Sequence, residues 1–483
     1  MSAETALVVG FTLAGAVLRF ATLSKQSFWL DEALAAREIH HSFGTMLSSI
    51  GHSEANPPLY FVVAWGWAKA FGFSEAGLRS LSAVAGTALI PLGYLCGREL
   101  VSRRAGALAA VLVAFSPFMI WYSQEAREYM LFAAFAGASL LFFARSWRTP
   151  SRGNLLGWAA FSALALLTNY FAVFALAPEA VLLLIRARNR WLWIGLAGLA
   201  VVGAALLPHL INNLGSPVGW IGSLPLSLRI KQLPTAFAIG NLYESSAVSY
   251  ALIGAAALAA AVIALLVIGA SGVQLRGAGL AAAIGGTVVL APLLLGVVGH
   301  DYFVPRALIA GWLPLAVVVA AACTSAGWSR APGAALAVIT LAGFVYSWTV
   351  VQREPRYQRP DWRGVAAALG HGSAPRAVVA YDGGYAAEPI ALYLKGQTFA
   401  LGDPAAFRVD EIDVVGSPWQ STPTRLPGAA RLLSSRQLGP YLVRRFRLAA
   451  PVQLTPAQIA ARAGQLLVPA TEDPAVVVQR SSA

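Results

Sequence analysis

Apolar runs long enough to cross a bilayer recur along most of the chain, and they constrain its fold more than any motif. Crossing about 30 Å of hydrocarbon takes roughly 20 residues of helix. Segments near that length fall at 5–23, 78–97, 105–121, 129–145, 154–169, 170–186, 191–210, 248–270, 278–298, 304–323 and 332–350. With 57% hydrophobic residues, only 12% charged and a mean hydropathy of +0.64, the chain is neither a soluble globular enzyme, nor disordered, nor a coiled coil. The expected fold is an all-α polytopic membrane protein of about 11 transmembrane helices, with a small C-terminal α+β domain. The 5–23 run lacks a basic leader, so it reads as a first span that stays in place.

Charge placement orients the spans. The net charge of +13 comes from arginines in short loops rather than along one amphipathic face, which argues against a nucleic-acid partner. Clusters at Arg98, Arg103 and Arg104, at Arg145, Arg148 and Arg152, and at Arg186, Arg188 and Arg190 suit cytoplasmic loops, with Arg276 and Arg330 continuing the series. They all fall inside only if the apolar stretch 57–72 (PPLYFVVAWGWAKAFG) does not cross. It opens with Pro57-Pro58 and holds Trp65, Trp67 and Lys69, which suits an interfacial helix. The first outer loop then covers 24–77. An odd number of spans places 351–483 outside, so the expected division is a transmembrane catalytic portion, 1–350, and a soluble extracytoplasmic domain, 351–483. Within the latter, 377–381 (AVVAY) and 441–448 (YLVRRFRL) read as strands, Asp361-Trp362-Arg363 as a helix start, and 382–385 as a strand-to-turn segment. Cys96 and Cys323 lie in or at the end of apolar segments, with no disulfide framework or zinc spacing.

Acidic residues are scarce: residues 1–350 contain twelve, five of them in the first outer loop. Ionised groups near hydrocarbon are costly and tend to mark sites. Asp31-Glu32 opens a helical pattern after Phe28-Trp29-Leu30; an acidic helix start explains it, and so does a general base held by an aromatic anchor. His52, Glu54, Asn56 and Tyr60 gather polar groups around Pro57-Pro58. Tyr122, Gln124, Glu125, Arg127 and Tyr129 crowd one loop between spans with helical spacing, where an Arg127–Glu ion pair competes with ligand binding. Asn169 and Tyr170 mark a tight hairpin. Asp301, Tyr302 and Arg306 precede a span on the outer side, where arginine is disfavoured. Arg306 and Arg19 each read either as snorkelling cations or as phosphate ligands. Carboxylates, arginines and tyrosines at one membrane boundary fit chemistry on a lipid carrying a phosphate.

In order along the chain, LRF, FWLDEA, NPPLYF, AWGWAKAFG, LRSLSAVAGTALIPLGYLCGREL, AFSPFMIWYSQEAREYML, TNYF, VPRALIAGWLP and RPDWRGVAAAL resemble the bacterial family 39 glycosyltransferases. These belong to the GT-C class, alongside protein O-mannosyltransferases and the aminoarabinose transferase of lipid A. The resemblance covers most of 15–370. It implies a GT-C fold, a polyprenyl-phosphate-linked sugar donor and inverting transfer outside the cytoplasm to a hydroxyl acceptor on a glycan, glycolipid or protein. It maps the catalytic carboxylate onto Asp31 with Glu32 as partner, and the donor pocket onto Tyr122–Arg127 and Arg306. Relatives carry His where Asn56 and Asn169 stand and Tyr where Ala307 stands. No cofactor is therefore assigned, and a divalent metal is left open, with His52 and Glu54 the nearby candidates. The alternative function is a transporter or flippase of lipid-linked sugars, which needs polar or broken helices at the bilayer midplane. A non-catalytic scaffold is the third class.

Overall fold

The computed structural model describes residues 3–213, 221, 224–244, 248–299, 301–325, 330–370, 375–380, 384–416, 424–426, 430–463 and 475–479. The chain divides into two compact units, Met1–Leu23 with Ile39–Gln358, and Ser24–Glu38 with Arg359–Ala483.

The first unit is helical. It holds α1 (Ala3–Phe20), α3 (Phe43–Ser53), α4 (Leu59–Phe71), α5 (Glu75–Leu100), α6 (Arg103–Phe115), α7 (Pro117–Ser123), α8 (Tyr129–Arg148), α9 (Arg152–Thr168), α10 (Ala172–Arg186), α11 (Arg190–Asn213), α12 (Leu226–Ile239), α13 (Val248–Gly269), α14 (Gly272–Val297), α15 (Trp312–Cys323) and α16 (Arg330–Arg353). All eleven apolar runs coincide with helices. Seven described helices have the length and apolarity to cross a membrane, or eight if the bent α6–α7 pair counts as one span. α1, α9 and α10 cover the other three runs with 18, 17 and 15 residues. The chain is thus a multi-pass membrane protein, whose span count by length and composition is below the expected eleven. Helix α4 has 13 residues, about 20 Å of rise, which is too short to cross. Its Lys69 ammonium lies 4.9 Å from the Trp65 ring centroid and 5.3 Å from that of Phe73, sheltered as a cation–π pair.

Serine starts several helices: Ser74, Ser102, Ser116 and Ser151 each accept a hydrogen bond from a first-turn amide of the helix that follows. The α5–α6 pair approaches closely because both surfaces are glycine. A Cβ on Gly97 would meet the Gly106 Cα at 2.7 Å. Between α6 and α7 the axis bends by 56°. Pro117 has no N–H, so the Val113 carbonyl loses its helical partner. Arg19 replaces it, donating from Nη2 to Val113 O (2.8 Å) and from Nη1 to Ala114 O (3.0 Å).

The second unit is α+β. Its sheet runs in the order β2-β6-β1-β3-β5-β4, with β1 (Arg376–Ala380) parallel to β3 (Phe407–Gly416). The strands β2 (Gln397–Ala400), β4 (Arg431–Leu438), β5 (Tyr441–Leu454) and β6 (Ala475–Gln479) pair antiparallel with their neighbours. Alternation along β1 sends Ala377 and Val379 to one core, with α19 (Pro456–Arg462), and Val378 and Ala380 to the other, with α17 (Trp362–Leu369) and α18 (Gly384–Leu394). The predicted strands fall in β1 and β5. Tyr381, Asp382 and Gly383 lie outside the described residues, whereas Gly384 and Tyr385 open α18 rather than continue a turn. Asp361 caps α17 by accepting from the Gly364 amide.

Asp413 on β3 is fully buried, 3.3 Å from Arg376. Burial, followed by the neighbouring Glu411 carboxylate, holds its pKa well above the ordinary carboxylate value. The protonated form is therefore favoured in the folded state. Stability falls as pH rises from the unfolded value near about 4 through the native one. Asp413→Asn is expected to flatten the pH dependence of hydrogen-exchange protection in β3 and β5, since the titrating carboxyl is gone; an unchanged pH dependence overturns this.

Candidate active site

The two units carry separate parts of the predicted site. In the second, α2 (Leu30–His40) begins at the Asp31-Glu32 pair. Glu32 is fully buried and accepts from the Trp29 backbone N–H (3.4 Å), half of a capping box. The Arg359 guanidinium lies 3.8 Å from the same carboxylate, and the Arg359 amide donates to Gln26 (2.9 Å). Around them Ser27 donates to Pro360 O (2.8 Å), the Phe28 amide donates to the Tyr393 hydroxyl (2.8 Å), and Arg37 pairs with Glu388 (2.5 Å). The FWLDEA segment is therefore held by the RPDWR segment and by α18. Glu32 provides the anchoring, and Asp31, one position earlier in the first turn, is half-buried.

In the first unit, Arg127 sits between two carboxylates. Its Nη1 and Nη2 donate to the Glu54 oxygens at 3.3 and 3.2 Å, and its Nε donates to Glu128 at 3.0 Å. Asn56 donates to the other Glu128 oxygen (2.8 Å) and Ser82 to the Arg127 carbonyl (3.1 Å). All of these side chains but Asn56, which is half-buried, are buried. The network fastens the turn between α3 and α4 to the loop between α7 and α8. Of the two readings of Arg127, ion pair and donor ligand, this geometry displays the ion pair: its fork is engaged by carboxylates. Arg19 is engaged likewise, by backbone carbonyls and a serine. It is fully buried and also donates to Gly15 O (3.0 Å) and Ser123 Oγ (3.1 Å). A Cβ on Gly86 would stand 2.1 Å from that Ser123 Oγ, so the bracket needs glycine there.

Other predicted residues divide similarly. Gln124 is buried and donates from Nε2 to Leu18 O (3.0 Å), Arg19 O (3.2 Å) and Thr22 (2.7 Å). Asn169 ends α9 and accepts from the Phe171 amide (2.9 Å). The Tyr170 hydroxyl meets His209 Nδ1 at 2.9 Å. Asp301 binds Arg229 of α12 through both oxygens and accepts from the Phe303 amide (3.3 Å), which anchors the chain between α14 and α15. The Arg229 hydrogen bonds hold its carboxyl below the usual range. Sequence reading assigned no element to α12 and missed Arg229 and Arg359 as partners, because no local spacing links either to its distant carboxylate.

The remaining groups include an arginine beside two tyrosines. The Arg306 guanidinium lies 5.8 Å from the Tyr129 ring centroid, and Tyr129 packs edge-on against Tyr122 at 5.4 Å. Arg306, Tyr122 and Tyr302 are half-buried; Glu125, Tyr60 and Tyr129 are buried, and His52 is exposed on α3. Among the described residues, no three His, Cys, Asp or Glu side chains gather to hold a metal ion.

Residues 55–211 match the family model described as Dolichyl-phosphate-mannose-protein mannosyltransferase. No curated protein matches the chain by sequence. Among solved structures, ArnT from Cupriavidus metallidurans in the apo state is 13% identical, with a TM-score of 0.58 over 92% of this chain and 98% of that one. The same protein bound to undecaprenyl phosphate gives the same identity, coverage and TM-score. The helical unit, the small sheet unit and this similarity give the chain the fold of the GT-C glycosyltransferases, with the mannosyltransferase sequence pattern across residues 55–211.

Proposed function

We propose that the chain is an inverting glycosyltransferase of the cytoplasmic membrane. It moves a sugar from a polyprenyl-phosphate donor to a hydroxyl acceptor on the extracytoplasmic side. The observation that carries this reading is the division of labour at α2. Glu32 is locked by Trp29 and Arg359, while Asp31 stays half-buried in the same turn. In this reading Glu32 fixes the helical turn that carries Asp31. The ArnT similarity, which includes a form bound to undecaprenyl phosphate, supports a polyprenyl phosphate as the donor lipid.

In this reading the Asp31 carboxylate takes the proton of the acceptor hydroxyl as that oxygen bonds to the anomeric carbon. The bond from that carbon to the phosphate oxygen breaks, and its electron pair leaves with the polyprenyl phosphate. The leaving group departs as an anion, so no second carboxylic acid has to protonate it, unlike in a glycosidase. Arg306 meets the developing phosphate charge, with the Tyr122–Tyr129 pair as its aromatic support. Glu54, Asn56, Arg127 and Glu128 shape the loops around it.

Charge-assisted hydrogen bonds contribute about 1.5–3 kcal/mol. Arg306→Ala should therefore lower kcat/KM for the donor by roughly 10–100-fold, with partial recovery in Arg306→Lys and an unchanged melting temperature. The assay is transfer of labelled sugar from a polyprenyl-phosphate donor by purified protein. Donor kinetics equal to wild type reject the assignment. Lipid translocation in vesicles without any glycosyl product favours the flippase reading instead.

A further inference from the structure

A cavity with an arginine-rich rim lies in the first unit, at the opposite end of α8 from Tyr129. The 20 residues of α8 separate the two by about 30 Å along its axis. There α5 and α8 finish and α6 and α14 begin, around a cavity of about 590 Å3. Arg98, Arg103, Arg148 and Arg276 line it, against the single carboxylate of Glu99.

The arginines are not equivalent. Arg98 and Arg148 donate to the two oxygens of Glu99, at 2.8 and 2.9 Å. They neutralise that carboxylate and cap the C-terminal ends of α5 and α8. Arg103 reaches only Glu4, at 3.7 Å, and is exposed. Arg276 is exposed and, among the described residues, has neither a hydrogen-bond nor a carboxylate partner. The cavity thus keeps an excess of positive charge. The first turn of α6 adds to it: Ser102 caps the Ala105 amide, and the helix N-terminus contributes its partial positive charge.

The remaining lining is apolar. Val101, Val273 and Leu280 form a wall, and Trp147 stands where spanning helices meet the headgroup layer. A cationic rim on a greasy wall matches a phosphate that carries acyl chains better than a freely soluble one.

We propose that this cavity binds the phosphate of an anionic phospholipid headgroup, with Arg103 and Arg276 as its main ligands and the acyl chains lying along Val273 and Leu280. Basic pockets between helix ends recognise such headgroups through the same chemistry. The site is independent of the sugar-transfer reading, since it uses none of the residues assigned to that reaction. A soluble phosphate shares the headgroup's chemistry, and the test separates the two sources.

Full-length protein in neutral detergent is mixed with phosphatidylglycerol, with phosphatidylcholine or with inorganic phosphate, and bound species are counted by native mass spectrometry. Wild type should retain phosphatidylglycerol and not phosphatidylcholine. Arg103→Ala combined with Arg276→Ala should weaken phosphatidylglycerol binding by at least about tenfold, and the double Lys variant should keep most of it. Both side chains are exposed, so the lipid-free melting temperature should stay unchanged. Equal retention of the two lipids, or phosphatidylglycerol binding untouched by the double Ala variant, overturns the proposal. So does inorganic phosphate bound in an arginine-dependent way while the lipid is not, which assigns the cavity to a soluble anion.

Discussion

Asp31→Asn protein, correctly folded and inserted, is expected to transfer sugar 10²–10⁴-fold more slowly than wild type, the usual range for losing a general base. The substitution keeps the shape and removes only the proton acceptor. KM for the donor should change little, because Asp31 acts on the acceptor hydroxyl rather than on the phosphate. The neighbouring variant sharpens the test. Glu32 is fully buried against Arg359 and the Trp29 amide, so Glu32→Gln leaves a buried guanidinium short of a counter-charge. It should lower stability together with activity, whereas Asp31→Asn should lower activity alone. Turnover of Asp31→Asn protein near wild type, in labelled-sugar transfer, rejects the catalytic assignment.

Arg127→Leu is expected to damage the fold rather than donor binding. The guanidinium lies between the buried carboxylates of Glu54 and Glu128. Breaking a buried ion pair by removing one partner typically costs about 3–5 kcal/mol, because the other charge is left buried and uncompensated. Here two carboxylates lose their shared cation. The expected result is a large fall in melting temperature in detergent, or failure to accumulate in the membrane. Combining Arg127→Leu with Glu54→Gln and Glu128→Gln should recover part of the loss, since no buried charge then lacks a partner. A stable Arg127→Leu protein whose only defect is a raised donor KM would restore Arg127 as a phosphate ligand.

Much of the fold was legible because hydrocarbon leaves a segment few choices. A backbone crossing lipid must satisfy its own hydrogen bonds, so an apolar run of that length is a helix. The eleven runs are all helical, although that at 105–121 is broken at Pro117 and that at 304–323 opens with a 3-10 segment. The stretch after Pro57-Pro58 is a helix too, and its 13 residues are too few to cross. The helix-breaking Pro117 was present in the sequence, but the residue that satisfies the broken backbone was not evident. Arg19 is 94 residues away from Val113, and no local pattern connects them. Helix α12 escaped notice because it is only moderately apolar and contains Pro234.

Sequence alone determined which segments carry the scarce charges: Asp31-Glu32 at a helix start, and loops between apolar runs rich in carboxylates, tyrosines and arginines. That much follows from the cost of placing charge near lipid and from the helix dipole. Only the tertiary structure decided what each charge does. An arginine able to bind phosphate and one that neutralises buried carboxylates look alike in a sequence, because the difference is a partner distant in the chain. Glu54 and Glu128 claim Arg127, helix-end carbonyls claim Arg19, Arg359 claims Glu32, and the Arg306 guanidinium lies near the Tyr129 ring. Long-range pairing at a few ångströms determines charge and access, and no periodicity along the chain encodes it.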